Sequence, residues 1–241
     1  MSVSTPEATR EPWTPAQRRT LFAGVGSWAM DAFDFFVLVF VLSTMADAFR
    51  ISVLTASLAI TFTLIARPLG ALIFGPLAEK FGRKPVLVAN IVVFAGLELA
   101  TAASPNFTVF FILRVVYGIA MGGVWGVASA LTMESIPRRA RGTVSGLFQA
   151  GYPLGYLIAS IVYGLFGVAV GWRGMFVIGA LPLLLALYIH LKVDESPVWL
   201  ASRGLGGRSA HTKFWPAIAK NWPVLLFAVI LMAAFNYFSH G

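Results

Sequence analysis

Two carboxylates, Asp31 and Asp34, sit inside a stretch from Leu21 to Ala46 that is otherwise almost wholly apolar. A charge at the centre of a lipid-spanning helix costs about 2.5–3.5 kcal/mol on insertion scales, so it ordinarily faces a protein interior or a watery cavity. Three residues apart, the two share one helical face. Carboxyl groups so placed can take up and release protons, which suits ion or proton handling along a transport path. The competing reading is structural, a pair of carboxylates held by buried arginines. Arg67 and Arg114 also fall inside apolar runs and can serve either purpose.

The composition says what must position these groups. Of the 241 residues, 58% are hydrophobic and 12% charged, with a mean hydropathy of +0.80. Soluble domains carry about 25% charged residues. The apolar runs predict an all-α, polytopic membrane protein with spans of the ~20 residues that cross the hydrocarbon. They fall near 21–45, 53–78, 85–103, 106–133, 142–167, 172–191 and 222–241. Helices are expected throughout, because a lipid-exposed backbone must satisfy its own hydrogen bonds.

The formal net charge of +8 is distributed by loop. Fourteen of the 18 basic residues lie before span one or in alternate loops, among them Arg18, Arg83, Arg139 and Lys192. The opposite loops hold only Arg50 and Arg173. This positive-inside pattern predicts a cytoplasmic N-terminus. A nucleic-acid partner would want one continuous basic face and is not expected. Residues 1–20, with Pro6, Pro12 and Pro15, read as a disordered cytoplasmic tail without a cleavable signal. There is no cysteine, and His190, His211 and His240 show no metal spacing. No nucleophile elbow, zinc-protease motif or phosphate loop occurs, so neither an enzyme nor a cofactor is predicted.

The most patterned loop runs from Gly75 through Glu79, Lys80, Gly82, Arg83 and Lys84 to Pro85. Gly82 permits a tight turn and Pro85 suits the first turn of a helix. Glu79 can pair with its cationic neighbours or offer a carboxylate to a helix N-terminus. The string resembles the G-x-x-x-D-R-x-G-R-R signature of the major facilitator superfamily, with Glu79 for Asp and Lys80 for Arg. In span four, Arg114, Gly118 and Gly122 lie along one face, where small residues let helices approach closely. With Gly123, Leu131, Glu134 and Arg141 the run resembles a second signature, of sugar-transporter-like members. Glu134 and Arg141 are expected to help close an inner gate. Trp28 with Asp31 and Asp34, Glu195 to Leu200, and Asn236 to Gly241 resemble the sialate and lactate proton symporter branch. The resemblance implies a six-helix bundle over 21–192, a cytoplasmic linker over 193–221 and the start of helix seven over 222–241. It also implies a chain that stops within the helix-seven motif.

Depth counting pairs the charges. Asp34, about ten residues from the outer end of span one, matches Arg114, about eight residues into span four, at ~1.5 Å per residue. Arg67 lies about fourteen residues into span two, level with Asp31 by the same ~1.5 Å rise. Helices one, four and seven line the central cavity in the superfamily. The resemblance therefore makes Asp31, Asp34 and His240 candidates for proton coupling, and Arg114, Asn236 and His240 candidates for substrate. Gln149, Tyr152 and Tyr156 recur at helical intervals in span five and could add uncharged contacts. Glu98 has no assigned partner. Trp199, Phe214, Trp215 and Trp222 alternate with Lys and Arg in the linker, a mixture suited to a headgroup-level anchor. The expected function is proton-coupled symport of a small organic anion (lactate or pyruvate first, then sialic acid) across the cytoplasmic membrane. The alternative is a truncated, non-transporting membrane fragment or interaction subunit.

Overall fold

A computed structural model describes residues 13–204 and, beyond them, 216, 219–224, 226, 227, 230 and 231. The helix carrying the two aspartates begins earlier than its apolar run. Thr14 Oγ1 accepts from the Gln17 amide and Gln17 Oε1 accepts from the Thr14 amide, a capping box with Pro15 at the first helical position. Helix α1 therefore spans Pro15–Phe40, and residues 15–20 are helical rather than part of the expected tail.

A turn at Val41 leads into the short α2 (Leu42–Phe49), and Ser52 caps α3 (Val53–Phe81). Gly82 then turns the chain at φ 111° into α4 (Arg83–Ala102). Asn106 caps α5 (Phe107–Gly122), which continues past a break at Gly123 as α6 (Val124–Ser135). A 3₁₀ turn at Arg138–Ala140 precedes α7 (Arg141–Gln149), α8 (Gly151–Ile178), α9 (Pro182–Lys192) and α10 (Pro197–Gly204). No strand occurs among the described residues.

Five stretches are long and apolar enough to cross a membrane: 15–40, 53–81, 83–102, 107–135 and 138–192. The last has 55 residues, far more than the ~20 that one crossing needs. Gly171, at φ 64° and ψ −179°, breaks it. Phe148 and Leu185 then both lie against α1, at Gly24 and Gly26, so the chain has folded back on itself. Two crossings result, consistent with the sequence-predicted spans at 142–167 and 172–191. The expected seventh span at 222–241 falls mostly outside the described residues.

Small residues set how the charged helices meet. A Cβ on Gly118 would lie 2.2 Å from the Thr63 carbonyl oxygen, and one on Gly122 would lie 1.9 Å from that of Arg67. Helices α3 and α5 thus run parallel, backbone against backbone, and Thr63 Oγ1 donates across the seam to the Arg114 carbonyl at 3.0 Å. Helices α1 and α8 share the same device, since a Cβ on Gly155 would lie 2.2 Å from the Ala29 carbonyl oxygen. Such seams replace the missing hydrophobic drive between helices in lipid. The buried apolar residues form two clusters, one around Leu87, Tyr117 and Leu131 and the other around Phe33, Phe110 and Phe176. Arg114 lies between them, against Tyr117 of the first and Phe176 of the second. Outward faces of α3 and α8 carry exposed Leu58, Ile65, Leu69, Leu157 and Leu165, the surface a lipid solvent requires.

Candidate functional site

The α3–α5 seam fixes where two guanidinium groups can reach. Arg67 on α3 donates from Nη2 to Asp31 Oδ2 on α1 at 2.6 Å, with the Asp31 side chain fully buried. This is the pairing the depth count placed at one level. Arg114 on α5 donates from Nη2 to Glu98 Oε1 on α4 at 2.8 Å, both side chains being at most 1% exposed. The same nitrogen lies 3.4 Å from Thr101 Oγ1. The Arg114 guanidinium sits 4.0 Å from the Tyr117 ring centre and 5.0 Å from that of Phe176, between the two apolar clusters.

The predicted opposition of Asp34 and Arg114 is corrected at this point. The guanidinium goes to Glu98, and both carboxylate oxygens of the buried Asp34 lack a hydrogen-bond partner among the described residues. The cause is local. Helices α4 and α5 form a hairpin turning near residues 103–106, so Glu98 and Arg114 sit at similar depths on adjacent helices. Applied to Glu98, the depth count used for the aspartates gives this pair. Asp34 remains within Coulombic range of Glu98, Arg114 and Asp31. A Cβ on Gly179, just beyond α8, would lie 3.4 Å from both Asp34 Oδ1 and Glu98 Oε2. Glu98 Oε2, Arg114 Nε and Nη1, and the Tyr117 hydroxyl are likewise buried without hydrogen-bond partners among the described residues. Tyr117 was not anticipated, and reads as core in the sequence.

The uncharged candidates divide. Tyr152 packs against Trp28 and Phe36, each with ring centres 5.5 Å apart, and lies in range of the Asp31–Arg67 pair. Gln149 is exposed at the end of α7, with its Oε1 3.4 Å from Trp125 Nε1. Tyr156 stacks edge-on against Phe36 at 4.7 Å. Asn236 and His240 lie outside the described residues.

A second charged network lies where the basic loops are. Arg83 donates to Glu79 Oε1 at 2.7 Å and to both oxygens of Glu134, at 3.3 and 3.1 Å. Of the two roles the sequence offers Glu79, pairing with a cationic neighbour is the one observed, and the helix N-terminus goes to another carboxylate. Glu195 takes that place, its Oε1 accepting from the Arg83 amide at 3.0 Å and both its oxygens from the Lys84 amide at 3.2 Å. Ser196 Oγ donates to Glu134 Oε2. No ion pair joins Glu134 to Arg141 among the described residues, and Arg141 Nε is buried without a hydrogen-bond partner there. Trp199 Nε1 donates to the Glu79 carbonyl at 2.9 Å, and the Arg203 guanidinium lies 4.7 Å from its ring centre. Arg203 also donates to the Lys80 carbonyl, and the Lys80 ammonium sits 5.0 Å from the Phe81 ring centre. Gly75 has open space where a side chain would go.

A polytopic helical membrane protein with ion pairs at its core, and a capped, arginine-centred turn between its second and third crossings, describes one class of fold. The chain belongs to the Major Facilitator Superfamily, whose model matches residues 25–240. It is 31% identical over 189 residues to the sialic acid transporter NanX of Escherichia coli, covering 78% of this chain and 47% of that protein. It is 29% identical over 183 residues to a cis,cis-muconate transport protein of Acinetobacter baylyi, covering 76% of this chain and 44% of that one. Among solved structures, the partially occluded, inward-open xylose transporter XylE of E. coli superposes with a TM-score of 0.72 at 20% identity, covering 90% of this chain and 61% of XylE. The chain thus spans about half the length of the curated relatives it matches.

Proposed function

We propose that this chain forms the first bundle of a secondary transporter that carries a small organic anion together with a proton. The observation that carries the reading is the charge set in the membrane-crossing helices: two guanidinium–carboxylate pairs and a third carboxylate, Asp34, with no cation of its own and only the Tyr117 hydroxyl beside it as a donor. Such groups are costly in lipid and mark ion or substrate paths. Arg114 holds two unused donor nitrogens and a carboxylate partner, so an incoming carboxylate can take the place of Glu98 without leaving a bare buried cation. Asp31, Asp34 and His240 are proposed for proton coupling, Arg114, Tyr152, Asn236 and His240 for the substrate, and the Arg83 network for gating. A gate there would open and close as two bundles rock about a midplane site.

Two relatives named for sialic acid and muconate support an organic anion as cargo. Within that class we propose a monocarboxylate such as lactate or pyruvate, with sialic acid second. The basic loops favour a cytoplasmic N-terminus in the cell membrane. The test is uptake of a panel of labelled carboxylates into proteoliposomes under an imposed pH gradient. Lactate or sialate accumulation that collapses with the gradient is expected. Accumulation indifferent to the gradient would remove the proton, and uptake confined to neutral sugars would remove the anion.

A further inference from the structure

The cluster holds three buried carboxylates, Asp31, Asp34 and Glu98, against two guanidinium groups, the partly exposed Arg67 and the buried Arg114. Asp31 is committed to Arg67 at 2.6 Å. That leaves Asp34 and Glu98 with one cation between them. Both direct an oxygen without a hydrogen-bond partner at the same point beside Gly179, Oδ1 of Asp34 and Oε2 of Glu98. The groups facing Asp34 are Glu98 from α4, Arg114 and Tyr117 from α5, and Asp31 from its own helix. Gly179, just beyond α8, adds no charge. An unpaired carboxylate enclosed in this way is costly as an anion, and two of them facing one guanidinium cannot both be neutralised by it.

We infer that Asp34 and Glu98 form a two-carboxylate site that holds a single proton, with Arg114 selecting which of the two is ionised. In the observed arrangement Arg114 pairs with Glu98, so the proton resides on Asp34. Turning Arg114 toward Asp34 moves the ionised position to Asp34 and the proton to Glu98, with no change in net charge. The use of the site rests on the transport reading above. A substrate carboxylate that takes Arg114 leaves the two acids without a cation, and a second proton restores neutrality.

The proton itself can be observed without substrate. Infrared difference spectroscopy with hydrogen–deuterium exchange, on the full chain in lipid nanodiscs near neutral pH, isolates the carbonyl stretch of protonated carboxyls. One such band is expected in the wild type. It should vanish in Asp34→Asn, because Glu98 keeps Arg114, and equally in Glu98→Gln, because Arg114 is then free for Asp34. Arg114→Gln should double it. A band that persists in Glu98→Gln makes Asp34 an isolated acid and overturns the shared site, as does a wild type with no band. Should Glu98→Gln not yield monodisperse protein, Gly179→Ala places a methyl against both oxygens. A shifted band is then expected, and an unshifted one counts against the pair. A protein that shows the band but no carboxylate uptake retains the proton site and loses the transport reading. Uptake without the band does the reverse.

Discussion

The membrane-buried cluster and the basic-end network use the same residue types and treat them differently. At the basic end, Glu134 has both oxygens occupied by Arg83, and Glu195 has both occupied by the first amides of α4. In the buried cluster, Asp34 has neither oxygen occupied and Arg114 uses one of its three nitrogens. A satisfied polar network specifies one geometry, whereas a partly satisfied one in low dielectric is under strain to find partners. The contrast, in which the basic end leaves a nitrogen of Arg83 open but no oxygen of Glu134 or Glu195, separates a clamp from a site. The clamp holds α4, α6 and the segment after α9 together, and the site leaves donors and acceptors available for a ligand or a proton.

The sharpest way to break this comparison is Arg114→Gln. Removing one member of a buried pair leaves a partner that must stay charged alone or take up a proton, and costs about 3–5 kcal/mol. Unfolding in detergent should show a loss of that order, with little dependence on salt because the pair is shielded from it. Adding Glu98→Gln should recover most of the loss, since the second buried acid that has to take up a proton is then gone. Adding Asp34→Asn instead should recover less. Equal recovery by the two second substitutions would mean that Arg114 divides itself evenly between the acids, contrary to the observed geometry.

What the sequence disclosed follows from the range of the forces involved. The crossings were legible because lipid imposes apolar runs of fixed length, and the α3–α5 seam because Gly118 and Gly122 leave a spaced signal. Asp31 and Arg67 could be matched by depth alone. Glu98 has no partner on the apolar pattern alone, although its distance from the α4–α5 turn is similar to that of Arg114. The partners of Glu195 were hidden for another reason. Contacts across more than a hundred residues, such as Glu195 to the Arg83 amide, leave no periodicity to read. The motif around Gly82 announced a special turn and gave no indication of which carboxylate caps it.

Gly82→Val tests the clamp next. At φ 111° a β-branched side chain is strained by about 1–3 kcal/mol. Its Cβ would also lie 2.2 Å from Glu195 Oε2 and expel the cap. Membrane insertion should be close to normal, while amide exchange at the start of α4 rises and transport cycling in liposomes falls. Wild-type exchange at Arg83 and Lys84 would show that the turn tolerates a side chain and that the clamp does not depend on it.

Glu195→Gln is milder, since it keeps the shape and removes the charge from the α4 N-terminus. Capping losses run about 0.5–2 kcal/mol, and part of the amide contact survives in the glutamine oxygen. The effect should shrink as salt is raised, because Glu195 is partly exposed and its attraction to the helix end is screened. A salt series on wild type and variant, read as thermal midpoints, checks this. Together with the salt-independent loss in Arg114→Gln, it would place the two networks in different dielectric surroundings.

The smallest effect is expected from Trp199→Phe, and it asks whether α10 belongs to the clamp at all. The indole Nε1 donates to the Glu79 carbonyl and Arg203 donates to that of Lys80. Both acceptors lie in the last turn of α3, where helix carbonyls have no partner within the helix. Phenylalanine keeps an aromatic face for Arg203 and removes only the indole donor, a net loss of about 0.5–1.5 kcal/mol. Global unfolding should therefore barely move, because α10 undocks before the bundle unfolds. Limited proteolysis within 196–204 reads the undocking directly and should speed up several-fold, with the crossings left intact. Adding Arg203→Ala should increase the rate again if the two donors hold α10 jointly. Cleavage unchanged in both variants would make α10 a bystander and confine the clamp to Arg83, Glu134 and Glu195.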